Sequence, residues 1–221
     1  MLVVRESKMA GVAKDEYVQI DRLRLGPFDT NSYLLTCLQT GDSALVDAPA
    51  EASEMVRTAK GTNPKYILIT HNHRDHTGAL SELKARLKIP IAAHRLDAKG
   101  LPLEPEIFLE DEEKLSFGRV SLKVLHSPGH TPGSLCFLAG KYLISGDTIF
   151  PGGPGKTRSP ADLKQIIESI TRKIFVLNDD TVIYPGHGES TLLRKEKKEF
   201  AIFSSRPHNP DLFGDVLWLS S

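Results

Sequence analysis

A dense cluster of histidine and aspartate side chains directly after a short apolar segment constrains this chain more than any other feature. Residues 66–70 read YILIT, the pattern of a short buried strand, and residues 71–76 continue as HNHRDH. Four of these six loop residues can ligate a metal ion: His71, His73, Asp75 and His76. Imidazole and carboxylate groups suit borderline to hard divalent ions such as zinc, iron or manganese. The sequence therefore predicts a strand that ends in a metal-binding loop.

Three further candidate ligands stand in the same context. His130 lies in SPGHTPG after a strand that ends at Leu125, Asp147 lies in SGDT after YLI, and His187 lies in YPGHG after TVIY. Each of them follows a strand and has a glycine beside it, so the backbone can approach an ion closely. Because all three repeat the context of the first cluster, we expect one shared site rather than isolated surface side chains.

Strands in series with intermittent helices indicate the broad architecture. Residues 17–25 alternate apolar and polar positions, as a half-buried strand does, and residues 181–185 form a last apolar strand. Helical patterns cover residues 51–60 and residues 161–175, the second with its apolar side chains on one face behind Pro160. This order predicts an α/β fold of two packed sheets flanked by helices.

The composition argues against several classes of partner. Lys plus Arg number 28, as do Asp plus Glu, and this balance removes the strongest argument for nucleic-acid binding. The N-terminal segment has only Leu2, Val3 and Val4 in a row before Arg5, which is too short for a signal peptide. No apolar run approaches the ~20 residues of a membrane span. We therefore expect a cytoplasmic protein with a small-molecule substrate and no nucleic-acid or membrane partner, and its oligomeric state stays open.

In order and spacing, the seven candidate ligands resemble those of the metallo-β-lactamase fold superfamily. Its pattern is His-x-His-x-Asp-His, then Gly-His, Gly-Asp and a final His, and its early Val-Asp pair is matched by Val46 and Asp47. The resemblance spans about residues 17–190. It implies an αββα sandwich, in which two mixed β-sheets are flanked by helices. We accordingly predict an N-terminal extension at residues 1–16 and a single domain at 17–221, with a short C-terminal segment at 191–221.

The resemblance also implies a centre with two divalent metal ions, zinc first, with iron or manganese as alternatives. One ion would be held by His71, His73 and His130, the other by Asp75, His76 and His187, and Asp147 would bridge both. A carboxylate suits the bridging role because it has two oxygens and a negative charge. A hydroxide shared by the two metals is then the expected nucleophile, with Asp75 and Asp147 as catalytic residues. Asp47 is expected to position the histidine loop.

The segment that begins at Gly146 narrows the choice of substrate. Residues 146–156 read GDTIFPGGPGK and resemble the Gly-Asp-Thr-Leu-Phe and Gly-Gly-x-Gly-Arg segment of glyoxalase II, or hydroxyacylglutathione hydrolase. Lys156 stands where that segment has arginine, and we expect it to meet a substrate carboxylate. Phe28, in the turn-rich segment 26–31, is expected either to cover the acyl part of the substrate or to pack into the core. Only 34 residues follow His187, so the resemblance is to the short members of this group.

Several activities are compatible with this ligand set. A glyoxalase II-like thioesterase is favoured, and a lactonase or another ester hydrolase is the first alternative. The alternative from a different class is a persulfide dioxygenase with a single iron, whose ligands would be His71, His130 and Asp147. Metal content separates the two classes, since the hydrolases need about two metals per chain and the dioxygenase needs one iron with oxygen consumption.

Overall fold

The first sheet has seven strands that follow one another in chain order. The computed structural model describes residues 9–221. The strands are β1 (Ala10–Lys14), β2 (Val18–Leu25), β3 (Thr30–Cys37), β4 (Asp42–Val46), β5 (Asn63–Leu68), β6 (Ile91–Ala93) and β7 (Ile107–Phe108). Strands β1 to β4 pair antiparallel, whereas β4 to β7 pair parallel. Parallel neighbours need crossover connections, and these carry α1 (Ala52–Thr58), α2 (Arg74–Thr77) and α3 (Leu80–Leu87).

The second sheet has six strands, and its chain order is interrupted once. It contains β8 (Lys114–Phe117), β9 (Val120–His126), β10 (Leu135–Ala139), β11 (Tyr142–Gly146), β14 (Val182–Pro185) and β15 (Thr191–Leu192), in the spatial order β15-β14-β11-β10-β9-β8. A small hairpin of β12 (Ile149–Phe150) and β13 (Gly153–Pro154) follows β11. Strands β11 and β14 are parallel, and α4 (Pro160–Ser169) lies in their crossover. Helix α5 (Leu193–Ser204) follows β15.

The two sheets pack face to face, and helices cover their outer faces. Successive strand residues point to opposite faces, so each strand contributes alternate side chains to the core between the sheets. That core includes Ile20, Leu35, Val124, Phe137 and Tyr184. The outer face of the first sheet packs on α1 and α3, and that of the second sheet packs on α4, α5 and part of the C-terminal segment. The predicted αββα sandwich of two mixed sheets is confirmed.

Two element boundaries differ from the sequence prediction. The predicted helix at 161–175 begins at Pro160, where the Ser159 hydroxyl accepts a hydrogen bond from the Asp162 N–H, but it changes to a π-type helix over Ile170–Ile174. Residues 10–14, which the sequence analysis places in the N-terminal extension, form edge strand β1, while residues 1–8 lie outside the described residues. This strand is short and weakly apolar, and its pairing with β2 gives it a partner that the sequence pattern does not signal.

No helix in the chain from residue 9 onward combines the length and apolar character needed to cross a membrane.

Candidate metal centre

The structure brings all seven predicted ligands together. His71 to His76 follow β5, His130 lies in the loop between β9 and β10, and Asp147 and His187 come directly after β11 and β14. Their donor atoms form three overlapping groups, and the atoms within each group lie within 4.8 Å of one another: His71, His73 and His130; His71, His76 and Asp147; Asp75, His76 and His187. The loops of both sheets therefore meet in one cluster.

The first triad consists of three imidazole nitrogens. His73 Nδ1 lies 3.1 Å from His71 Nε2 and 2.9 Å from His130 Nε2. Three nitrogens that ligate one tetrahedral zinc ion lie about 3.3 Å apart, because each Zn–N bond is about 2.0–2.1 Å long. Burial lowers the pKa of both His71 and His73, and the neighbouring imidazoles lower it further. These side chains are thus held neutral, which is the state that binds a metal.

The second triad lies beside the first and includes a carboxylate. His187 Nε2 lies 3.1 Å from Asp75 Oδ2 and 3.3 Å from His76 Nε2. His76 is fully buried, whereas the side chains of Asp75 and His187 are about a quarter exposed, at 27% and 28%. This side of the cluster is therefore open to solvent and to a ligand.

Asp147 lies between the two triads. Its Oδ1 is 3.3 Å from His76 Nε2, and its Oδ2 is 3.5 Å from His130 Nε2 and 3.7 Å from His187 Nε2. Burial favours the neutral acid, but His76 and the other imidazoles outweigh burial and hold the pKa of Asp147 well below its usual range. Apart from the 3.3 Å approach of His76 Nε2, the buried Oδ1 of Asp147 has no hydrogen-bond partner among the described residues. A buried, ionised oxygen without a partner is costly, and so the donor set fits positively charged ions on either side of Asp147.

Asp47 organises the loop that carries the first histidines. Its backbone adopts the left-handed conformation, with φ at 61°, directly after β4. Its Oδ1 accepts from the Thr70 N–H at 2.8 Å, and its Oδ2 accepts from the Thr70 hydroxyl at 2.8 Å and from His76 Nδ1 at 2.7 Å. The same hydroxyl lies 3.0 Å from His71 Nδ1. Asp47 therefore directs the Nε2 atoms of His71 and His76 toward the cluster.

Two other histidines are oriented by backbone carbonyls in the same way. His130 Nδ1 donates to the Lys156 carbonyl at 2.8 Å, and His187 Nδ1 donates to the Phe28 carbonyl at 3.2 Å. His73 is the exception, since its Nδ1 faces the cluster and its Nε2 lies 3.0 Å from the Arg158 guanidinium. Arg158 is not among the site residues predicted from the sequence, because nothing in the segment after Lys156 indicates that this side chain turns back to the histidine loop.

Asp97 is a second residue that the sequence analysis missed. It is 1% exposed and accepts hydrogen bonds from Asn72 N–H at 3.0 Å, the Thr131 hydroxyl at 2.7 Å and Gly133 N–H at 2.8 Å. It thereby joins the loop that holds His71 and His73 to the loop that holds His130. In the sequence, an aspartate in the loop after β6 is no different from an ordinary turn residue.

We predict that Asp97→Ala weakens both the fold and the first triad. Two buried donors and one partly buried donor lose their acceptor, so the free energy of unfolding should fall by about 3–5 kcal/mol. Metal affinity should fall by about 10- to 100-fold, since two ligand loops lose their common anchor. Urea denaturation and metal titration measure the two effects. Asp180→Ala, which removes an exposed carboxylate, is the control, and equal values for both variants would contradict the role of Asp97.

The two predicted substrate-binding residues lie at different cavities beside the cluster. Phe28 is 69% exposed and lines a cavity of about 690 Å³ together with Asp75. Lys156 lines a cavity of about 330 Å³ together with Asp147 and forms a 2.9 Å ion pair with Asp215. Both residues border the site, and their contacts with a substrate stay predictions.

Most of the chain, including the whole cluster, matches the model of a known protein family. A family model described as the Metallo-beta-lactamase superfamily matches residues 25–187, which include all seven clustered side chains. The chain belongs to the metallo-beta-lactamase superfamily. The resemblance on which the sequence analysis relied is thus confirmed for this superfamily member.

Similar proteins support the same assignment. Over 188 residues, this superfamily member is 32% identical to hydroxyacylglutathione hydrolase GloC of Haemophilus influenzae, covering 75% of this chain and 89% of that protein. It is 35% identical over 168 residues to the hydroxyacylglutathione hydrolase of Anaeromyxobacter dehalogenans, covering 76% of this chain and 64% of that one. It is 34% identical to the crystal structure of TTHA1623 in a di-iron-bound form, with a TM-score of 0.70 and coverage of 80% and 96%.

Proposed function

We propose that this superfamily member is a dinuclear metal-dependent hydrolase that acts on thioesters. The observation that carries the proposal is the buried, ionised Asp147 between two triads of ligand atoms. His71, His73 and His130 would hold one metal, Asp75, His76 and His187 the other, and Asp147 would contact both. The di-iron form of TTHA1623 supports two metals, and the names of the two hydroxyacylglutathione hydrolases support a thioester as substrate.

The chemistry depends on both the metals and the side chains around them. Two bound divalent ions would lower the pKa of a bound water and polarise the carbonyl under attack. Asp147 keeps a negative charge at the centre of the site, and Asp47 keeps the proton of His76 on Nδ1 so that Nε2 stays available as a ligand. Asp75 presents its carboxylate on the exposed side, where the substrate must enter. Phe28 lines the cavity beside Asp75 and would exclude water from a substrate bound there.

The test is to remove the metal and then restore it. After dialysis against a chelator, hydrolysis of a glutathione thioester should fall to near the uncatalysed rate, because a water molecule without a metal is a poor nucleophile at neutral pH. Zinc, iron or manganese should restore the rate, with saturation at two ions per chain. Metal analysis and a thioester hydrolysis assay measure these quantities.

A panel of substrates separates the alternatives. If lactones or oxygen esters are turned over faster than any thioester, the assignment changes from a thioesterase to a lactone or ester hydrolase. Saturation at one iron per chain, with oxygen consumption on a persulfide substrate, would overturn the hydrolase in favour of the dioxygenase.

A further inference from the structure

We propose that Asn31 is a positioning residue for the second triad, and that the first sheet acts through it to set how tightly the second metal is held. The inference rests on the two-metal centre of the proposed function. Asn31 lies at the start of β3 and is 1% exposed. It is not one of the seven clustered residues, but its side chain donates to the loop that carries His187 after β14, in the other sheet.

The loop after β14 needs support from outside, because His187 stands between two glycines. Gly186 and Gly188 restrict the backbone less than other residues do, and Gly188 has a φ of 72°. The loop also lies directly against the cluster, since a Cβ added at Gly186 would lie 2.1 Å from Asp147 Oδ1 and 2.6 Å from His76 Cε1. A small displacement of this loop therefore moves His187 relative to Asp147 and His76.

Asn31 holds this loop on both sides of His187. Its side-chain amide donates to the Pro185 carbonyl at 2.9 Å, before the histidine, and to the Gly188 carbonyl at 3.0 Å, after it. Its backbone N–H donates to the Gly186 carbonyl at 2.7 Å. The two N–H groups of one planar amide point in fixed directions, so they can bind both carbonyls only when the loop keeps its shape.

Two neighbouring side chains hold one end of the loop each. The Tyr33 hydroxyl donates to the Pro185 carbonyl at 2.7 Å, and Arg22 donates to the Gly188 carbonyl at 3.1 Å. Of these three side chains, only that of Asn31 donates to both carbonyls. Because each carbonyl keeps one donor when the Asn31 amide is removed, such a variant should remain folded.

The first triad is oriented by other residues. His71 Nδ1 lies 3.0 Å from the Thr70 hydroxyl, and His130 Nδ1 donates to the Lys156 carbonyl at 2.8 Å. Neither contact involves the loop after β14. Loss of the Asn31 amide should therefore weaken the second metal alone, which separates a positioning role from a general loss of stability.

The test compares Asn31→Leu with Tyr33→Phe by zinc titration of the metal-free full chain. Leucine has nearly the shape of asparagine without its donors, and Tyr33→Phe removes a buried hydrogen bond to the same Pro185 carbonyl. Asn31→Leu should raise the dissociation constant of the second metal by about tenfold and leave that of the first within about twofold of the parent. Tyr33→Phe should match the parent at both sites. The visible spectrum of the cobalt(II)-loaded protein should change in Asn31→Leu and not in Tyr33→Phe, because the geometry of one site is altered.

A double-mutant cycle with His187→Ala shows whether Asn31 acts through this ligand. His187→Ala removes one ligand of the second triad and so identifies which dissociation constant belongs to that triad. In the His187→Ala background, Asn31→Leu should change this constant by less than about twofold. If Asn31→Leu does not fold, Asn31→Ser takes its place, since a single hydroxyl can donate to only one of the two carbonyls. The same selective loss is expected.

Each other outcome overturns a distinct statement. If the parent binds two metals and Asn31→Leu binds both as tightly, or if Tyr33→Phe shows the same loss, the positioning role is wrong and the two-metal centre stands. Equal weakening of both metals, or a loss that persists in the His187→Ala background, would assign Asn31 to the fold alone. If the parent saturates at one metal, the proposed centre fails, and the role of Asn31 fails with it.

Discussion

Asp147→Ala is expected to lose metal and to reduce turnover by more than about 100-fold. Even residues that only orient a metal ligand cost 10- to 100-fold when they are replaced, and Asp147 lies within reach of ligand atoms from both triads. Its removal also takes away the one carboxylate between His76 and His130. Metal analysis of the purified variant, followed by thioester hydrolysis at saturating metal, measures both effects.

Asp147→Asn separates charge from shape. The amide retains the size of the side chain but supplies one oxygen without a negative charge, so it cannot contact two cations equally. We expect a folded protein that binds about one metal per chain and hydrolyses the substrate slowly. Two tightly bound metals and the parental rate in Asp147→Ala would contradict the bridging role.

Asp47→Ala is the second substitution with a large expected effect, and it acts mainly on the fold. Its carboxylate is 2% exposed and accepts from Thr70 N–H, from the Thr70 hydroxyl and from His76 Nδ1. Loss of a buried partner of this kind costs about 3–5 kcal/mol. Alanine also tolerates the left-handed backbone at this position poorly, which adds about 1–2 kcal/mol. Urea denaturation measures the fall in the free energy of unfolding, which should include both the lost acceptor and the backbone cost.

Asp47→Asn tests the positioning role without the loss of the backbone conformation. Asparagine adopts the left-handed region readily, so most of the stability should remain. Its amide nitrogen, however, cannot accept a hydrogen bond from His76 Nδ1, and His76 is then free to change tautomer. We expect metal affinity at the second triad to fall by about 10- to 100-fold. Unchanged affinity for the second metal in Asp47→Asn would show that Asp47 stabilises the fold alone.

The seven clustered residues can be predicted from the sequence because each of them is recognised from its immediate sequence neighbours. Each follows an apolar strand, and a polar group at a strand end is a local pattern that needs no knowledge of distant contacts. His130 and Asp147 can be found in this way although they lie in separate loops. The sheets that bring these loops together follow from strand periodicity and from the resemblance to the superfamily.

Residues that act between loops could not be predicted. Asp97 is important because Asn72 and Thr131, which are distant in sequence, both donate to it, and no single segment encodes that junction. Arg158 contacts His73, which is 85 residues away in the sequence, and its own segment carries no sign of that contact. In the same way, β1 is a strand because β2 offers it a partner. Long-range pairing gives each of these residues its role.

A hydrogen bond joins His187 to Phe28, in the turn between β2 and β3. This contact has a consequence for how long the second triad would retain a metal ion. His187 Nδ1 donates to the Phe28 carbonyl, and the Asn31 N–H donates to the Gly186 carbonyl at 2.7 Å. In the proposed centre, a movement of the 26–31 turn away from the cluster would break the hydrogen bond that orients His187. Loss of an ion from the second triad would then be easier, and by reciprocal linkage a substrate that keeps this hydrogen bond intact would also help to retain the ion.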